Sequence, residues 1–158
     1  MYSEIMLMVR TKSDLDLLRD EIKLLKDSLF RVEKGNFDEV LETIVRASVA
    51  KKIRQDLTQN VEKESYLNDL DLVLSKIKVV KLTLAVEPTE RMVDNLSNWI
   101  RKNLGDGVIL DFDYNRALIG GAMVVYQGKF GDYSLANYFE KKSDEEKKFI
   151  FSILKSGK

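Results

Sequence analysis

The sequence predicts an α+β protein, with an amino-terminal helical bundle over residues 1–78 and a small mixed β-sheet domain over residues 79–158 that carries one packing helix and terminal helices. Three observations predict it. Through the first half, apolar residues recur at alternating intervals of three and four, the period of a helix with one buried face. At Val79 the period shortens to two, the signature of a strand buried on one side. Finally, 158 residues suffice for two packed units of roughly 80 residues each.

The first helix is expected from Ser13 to Lys34. Ser13 and Asp16 form a capping pair, and Gly35 is placed to end the helix. Leu15, Leu18, Ile22, Leu25, Leu29 and Val32 line one narrow seam. Such a seam suits an antiparallel bundle, and it also suits an intermolecular coiled coil, although coiled coils normally sustain their heptads for longer. Asn36, with Glu39 in the reciprocal position, caps a second helix whose apolar side runs through Val40, Leu41, Ile44, Val45, Val49, Ile53 and Leu57. A third helix is expected from Glu64 to Lys78, turning Tyr66, Leu67, Leu70, Val73, Leu74 and Ile77 inward.

In the second half Val80, Leu82, Leu84 and Val86 alternate with polar or small residues, and Pro88, the only proline, ends that strand. Thr89 is placed to cap a helix carrying Val93, Leu96, Trp99, Ile100 and Leu104, which Gly105 stops. A strand through Val108, Leu110 and Phe112 follows. Next comes an apolar run from Leu118 to Tyr126, turned by Gln127 and Gly128 into a last short strand near Phe130. Gly120 and Gly121 lie together inside an apolar run, which implies a bulge, a positive φ or the close approach of another backbone. A phosphate-cradling loop would need a lysine and a helix directly after it, and a strand follows instead. Ser134 to Phe139 reads as a short helix or turn. A separate final helix is expected from Ser143, with Glu146 as its capping partner, burying Phe149, Ile150, Ile153 and Leu154.

Composition removes whole classes of function. With no histidine and no cysteine, the chain lacks zinc-finger ligands, Ser-His-Asp and Cys-His nucleophiles, thiol redox chemistry and disulfides. Lys plus Arg balance Asp plus Glu at 26 each, so the cationic surplus of a non-specific nucleic-acid binder is absent. Lys51, Lys52 and Arg54 cluster, but no aromatic residues interleave with them to stack bases. The early apolar run Ile5 to Val9 is too short to span a bilayer, follows Glu4 instead of a basic segment and precedes no small-residue cleavage site. The sequence is therefore read as cytoplasmic and without direct membrane insertion.

One ordered set of elements carries a resemblance. Val79 to Val86, Pro88 to Leu104, Val108 to Asp113, the tetrad Leu118, Ile119, Gly120 and Gly121, the strand to Tyr126, Gly128, and Asp132-Tyr133-Ser134 leading into Leu135 resemble the carboxyl-terminal domain of the delta subunit of F-type ATP synthases. That subunit is the oligomycin-sensitivity-conferring protein of mitochondria. Tyr133 stands where the family has glycine, and the helical half is divergent and shorter than the family's bundle. The resemblance implies a non-catalytic stator subunit without cofactors. Such a subunit links alpha subunits of the catalytic head to b-type subunits of the peripheral stalk and resists rotor torque at the cytoplasmic side of the membrane. In this reading Leu118, Ile119, Gly120, Gly121, Gly128, Asp132, Ser134 and Leu135 are structural, and a groove near Leu18, Leu25, Val45 and Val49 is expected to receive an alpha-subunit helix.

Two other readings compete. A helical adaptor or coiled-coil module would use the Leu15 to Val32 seam or the last helix as its docking surface. A Mg²⁺-dependent enzyme would need Asp111, Asp113 and Asp132 to converge, since hard cations take oxygen ligands.

Overall fold

The computed structural model describes residues 2–30, 36–58 and 61–156. In chain order the elements are α1 (Ser3–Met8), α2 (Lys12–Phe30), α3 (Phe37–Thr43), α4 (Ala47–Leu57), α5 (Lys63–Ser75), β1 (Lys78–Leu84), α6 (Glu90–Leu104), β2 (Val108–Tyr114), β3 (Gly121–Tyr126), β4 (Lys129–Ser134) and α7 (Leu135–Ser156). The fold is α+β, as the two periods predict, with a mixed sheet in the order β2-β1-β3-β4. The β1–β3 and β3–β4 pairs are antiparallel. β2 is reached from β1 through α6, the kind of crossover that returns a strand in the same direction.

Internal contacts divide the chain into two units, Met1–Val79 with Val93–Leu110 and Val80–Met92 with Asp111–Lys158. This grouping differs from a single cut after residue 78 in one segment, Val93–Leu110, which falls with the amino-terminal helices. Bonds to the first residues of the chain account for it. The Arg101 guanidinium donates to the carbonyls of Met6 at 3.3 Å, Leu7 at 2.9 Å and Val9 at 3.1 Å. Arg10 pairs with Asp94, the Leu110 amide donates to the Arg10 carbonyl at 3.1 Å, and Thr11 bridges to Leu110 in parallel.

In the first unit the seam of α2 is buried at Leu15, Leu18, Ile22 and Leu25, and α2 packs on α5 and α3. From α5 come Tyr66, Leu67, Leu70 and Leu74, each fully buried. The seam is thus spent inside the bundle and is not offered to a second coil. Val32, Lys34 and Gly35 lie outside the described residues. The expected second helix is two helices, because the chain turns at Ile44–Arg46. Asn36 does cap α3, accepting the Glu39 amide at 3.0 Å. The break comes from Glu21, buried on α2, which accepts the Arg46 amide at 2.9 Å and its guanidinium at 2.8 and 2.9 Å. An amide committed to a distant carboxylate is not available to continue the helical ladder.

α1 is an element the sequence did not announce. Its Ile5 and the following Val9 are fully buried. The phenol of Tyr66 donates to Asp56 at 2.9 Å, and Lys52 lies between Asp56 at 3.0 Å and Glu4 at 2.9 Å. This chain of partners lets α4 and α5 bury polar atoms without leaving any of them unpaired.

The second unit follows expectation at its turns. Gln127 and Gly128 take φ of 49° and 76°, a type I′ hairpin turn whose twist matches its strands. Thr89 accepts the Met92 amide at the start of α6, at 3.4 Å. The chain's end departs from expectation. Ser143 caps nothing, because α7 runs unbroken from Leu135 through it. Residues 140–148 contain neither glycine nor proline and are mostly strong helix formers, so nothing stops the helix there. Phe149 is exposed instead of buried, and the side chains of Ile150, Ile153 and Leu154 lie outside the described set.

Leu70→Ala should lower stability by about 2–5 kcal/mol in chemical denaturation, since the bundle cannot collapse onto the cavity. Tyr66 gives a pH signature. Burial, then the hydrogen bond and charge of Asp56, push its phenol well above the usual tyrosine value. Its stabilising effect is complete below the unfolded pKa of about 10 and is lost as pH rises toward the folded one. In alkaline titration the tyrosinate absorbance of Tyr66, read as the difference from Tyr66→Phe, should emerge only together with loss of helical circular dichroism.

Candidate functional site

The glycine pair meets the start of α7. Gly121 has φ 81° and is paired with Ser134, and a Cβ built on it would lie 2.3 Å from the Tyr133 carbonyl oxygen. Only a hydrogen atom fits there. At Gly120, with φ 154°, a Cβ would lie 2.8 Å from a Leu135 methyl carbon, and the Gly120 carbonyl accepts the Leu135 amide at 3.0 Å. Gly121 therefore serves the close approach of another backbone, and Gly120 that of the Leu135 side chain.

Asp132 and Ser134 complete the junction. The Asp132 carboxylate accepts the Ser134 amide at 2.8 Å, and the Ser134 hydroxyl accepts the Asn137 amide at 3.3 Å, so Ser134 provides the helix cap. The Asn137 side chain donates back to the Asp132 carbonyl at 2.6 Å. The hydrogen bonds from Ser134 hold the Asp132 carboxyl below its ordinary value. Sequence reasoning missed Asn137; its signal was a Ser with Asn three residues on, at the entrance of a helix. Gly128 holds the hairpin turn, and Ile119 is exposed beside the junction.

Around this junction the second unit presents large apolar side chains. Phe130 and Tyr133 on β4, and Leu135, Tyr138 and Phe139 at the start of α7, are all exposed, Tyr133 by 72%. On the first unit the expected groove residues are not open. Leu18, Leu25, Val45 and Val49 are buried in the bundle's own core, because all four fall on its inward seams. A shallow concavity of about 360 Å³ does lie between α3 and α4, floored by Leu41, Val45 and Ala50 and edged by the Arg54–Glu42 ion pair. Its floor is already nearly buried, so it could receive one side chain but little of a helix.

Asp111 and Asp113 lie on β2 and Asp132 on β4, the two outer strands of the sheet. With two strands between them, they are separated by roughly 14 Å across the sheet and do not converge. Among the described residues no group of three or more acidic side chains is placed to hold a metal ion. Asp113 pairs with Lys81 at 3.4 Å. In the basic cluster Lys52 is taken by Glu4 and Asp56, and Arg54 by Glu42.

The model of the family described as ATP synthase delta (OSCP) subunit matches residues 21–145, most of the chain. The chain belongs to this family. The match reaches well upstream of the sheet, so the delta (OSCP) likeness includes most of the helical half as well as residues 79–140. No curated protein matches the sequence closely enough to add to this. Among the described residues, no helix of this delta-family chain is long and apolar enough to cross a membrane.

Gly121→Ala should cost about 2–4 kcal/mol, combining a positive φ with a backbone clash, whereas Gly128→Ala, with open space around it, should cost only the conformational part, about 1–2 kcal/mol. Denaturant midpoints of the two variants check the order. The lowered Asp132 pKa means that its stabilising effect is present above the unfolded carboxyl value of about 3.9 and is lost as pH falls through the folded one. Asp132→Asn should accordingly flatten the acid limb of the stability profile in urea melts at stepped pH.

Proposed function

We propose that this chain is a non-catalytic connector of an F-type ATP synthase. Its helical unit engages alpha subunits of the catalytic head, and its sheet and α7 engage b-type stalk subunits. The observation that carries this reading is the family match over residues 21–145, to which the glycine junction adds a rigid mounting for exposed aromatic side chains. A connector under torque needs side chains fixed in direction and no pocket for chemistry. Phe130 and Tyr133 stand on a strand, and Tyr138 and Phe139 on the first turns of a capped helix, so their positions are set by hydrogen-bonded backbone. Large exposed aromatics of this kind are typical anchors in protein interfaces. The complex would hold the chain at the cytoplasmic side of the membrane without insertion.

Affinity purification of the tagged chain from its native host, under gentle cross-linking, should recover alpha and stalk subunits in mass spectrometry; their absence would discard the reading. Phe139→Ser, at an exposed site, should change folding stability by less than about 0.5 kcal/mol. The same substitution should reduce recovery of stalk subunits more than that of alpha subunits.

A further inference from the structure

The helix-sized seat on the first unit is filled by the chain itself. α1 is six residues long and has no side-chain cap at its start. A helix that short is unstable alone in water, so its shape depends on where it docks. Its docking consists of side-chain plugs and end contacts. Ile5 and Val9 enter the core, Tyr2 lies on the Tyr66 ring at 5.3 Å between centroids, and Glu4 reaches Lys52 on α4. At its end the Met6 carbonyl accepts the Val9 amide, and a single side chain, Arg101, donates to the carbonyls of Met6, Leu7 and Val9. The residues just after α1 are fixed differently, through backbone. The Arg10 carbonyl accepts the Leu110 amide and Thr11 bridges to Leu110. The arrangement is a plug on a pinned pivot.

From this we infer that α1 is a displaceable strap that occupies the seat of a partner helix. The inference rests on the connector reading above and adds its regulation. α1 also states the chemistry of what replaces it: an amphipathic helix with a carboxylate for Lys52 and an apolar side chain directly after it, as Glu4 and Ile5 are placed. Two shallow concavities elsewhere on this unit are less suited to a helix. One has a nearly buried floor between α3 and α4, and the other, near Leu72, is edged by the Lys26–Asp71 ion pair. A tethered strap competes at high effective concentration, so a partner must present its helix with better contacts or at high local density, and stray apolar helices are rejected.

Two measurements test the inference separately from the connector reading. Hydrogen exchange on the full chain alone should show the amides of α1 exchanging faster than those around Ile53 in α4, and Arg101→Ala should accelerate α1 selectively. Exchange of α1 as slow as that of the α4 core would overturn the strap. The chain has no cysteine, so Tyr2→Cys with Asp69→Cys, two neighbouring side chains outside the contacts assigned to the partner, provides one unique pair that a reducible bis-maleimide can lock. Binding of the locked protein to purified catalytic-head particles of the host's ATP synthase should fall at least about tenfold and return when the linker is reduced. Equal binding of locked and reduced forms would overturn the inference and leave the connector reading standing. If the reduced form also fails to bind the head, the connector reading falls, and the inference falls with it.

Discussion

The second unit depends on two backbones passing closer than any side chain would allow. Because Gly121 has no Cβ, the Tyr133 carbonyl comes to where that atom would be, and the pairing of Gly121 with Ser134 closes the end of the β3–β4 ladder. From that contact the rest follows in order. Ser134 is held by Asp132, caps α7, and sets Leu135 against Gly120. The direction of α7, and so of the aromatics on its first turns, is decided by one missing methyl group. A side chain at Tyr133 is accommodated because its carbonyl makes the close contact while its ring, largely exposed, lies over Gly131.

Periodic faces were legible in the sequence wherever an element was long. Leu15, Leu18, Ile22 and Leu25 repeat often enough to define a face, and all are buried. The alternation at β1 and the Gln127-Gly128 turn were readable for the same reason, since their signals are local. The break between α3 and α4 was not readable. It is made by Glu21, twenty-five residues before Arg46, and no local pattern records that bond. Val40, Ile44 and Val45 in fact continue a helical spacing through the break. α1 was missed because six residues give less than two turns of periodicity. The apparent cap at Ser143 shows the opposite failure, a correct local signature with no structural stop in front of it to give it meaning.

The candidate site divides along the same line. The junction residues Gly120, Gly121, Asp132 and Ser134 were visible because glycine pairs and Asp-Xaa-Ser turns are unusual inside apolar sequence. The residues expected to line a partner groove are buried, because sequence shows which face is apolar but not whether that face is already occupied. Leu18, Leu25, Val45 and Val49 were rightly apolar and wrongly assumed open. The segment Val93–Leu110 shows the same limit at larger scale. Its grouping with the first helices rests on Arg101 and Leu110 finding partners more than ninety residues away.

Exposed aromatics on an outer strand would ordinarily invite strand addition and aggregation. The hairpin register shows how that is limited here. With Tyr126 opposite Lys129 across a two-residue turn, the hydrogen-bonded pairs to β3 fall at Lys129, Gly131 and Tyr133, so the amides and carbonyls of Phe130, Asp132 and Ser134 face outward. The Ser134 amide is taken by the Asp132 carboxylate and the Asp132 carbonyl by the Asn137 side chain. An incoming strand would lose the ladder positions nearest α7. Side chains remain available where backbone does not. Phe130 and Tyr133 lie on opposite faces of β4, so this combination favours a partner that meets one of those faces with a preformed surface, such as a helix, over one that adds a strand to β4.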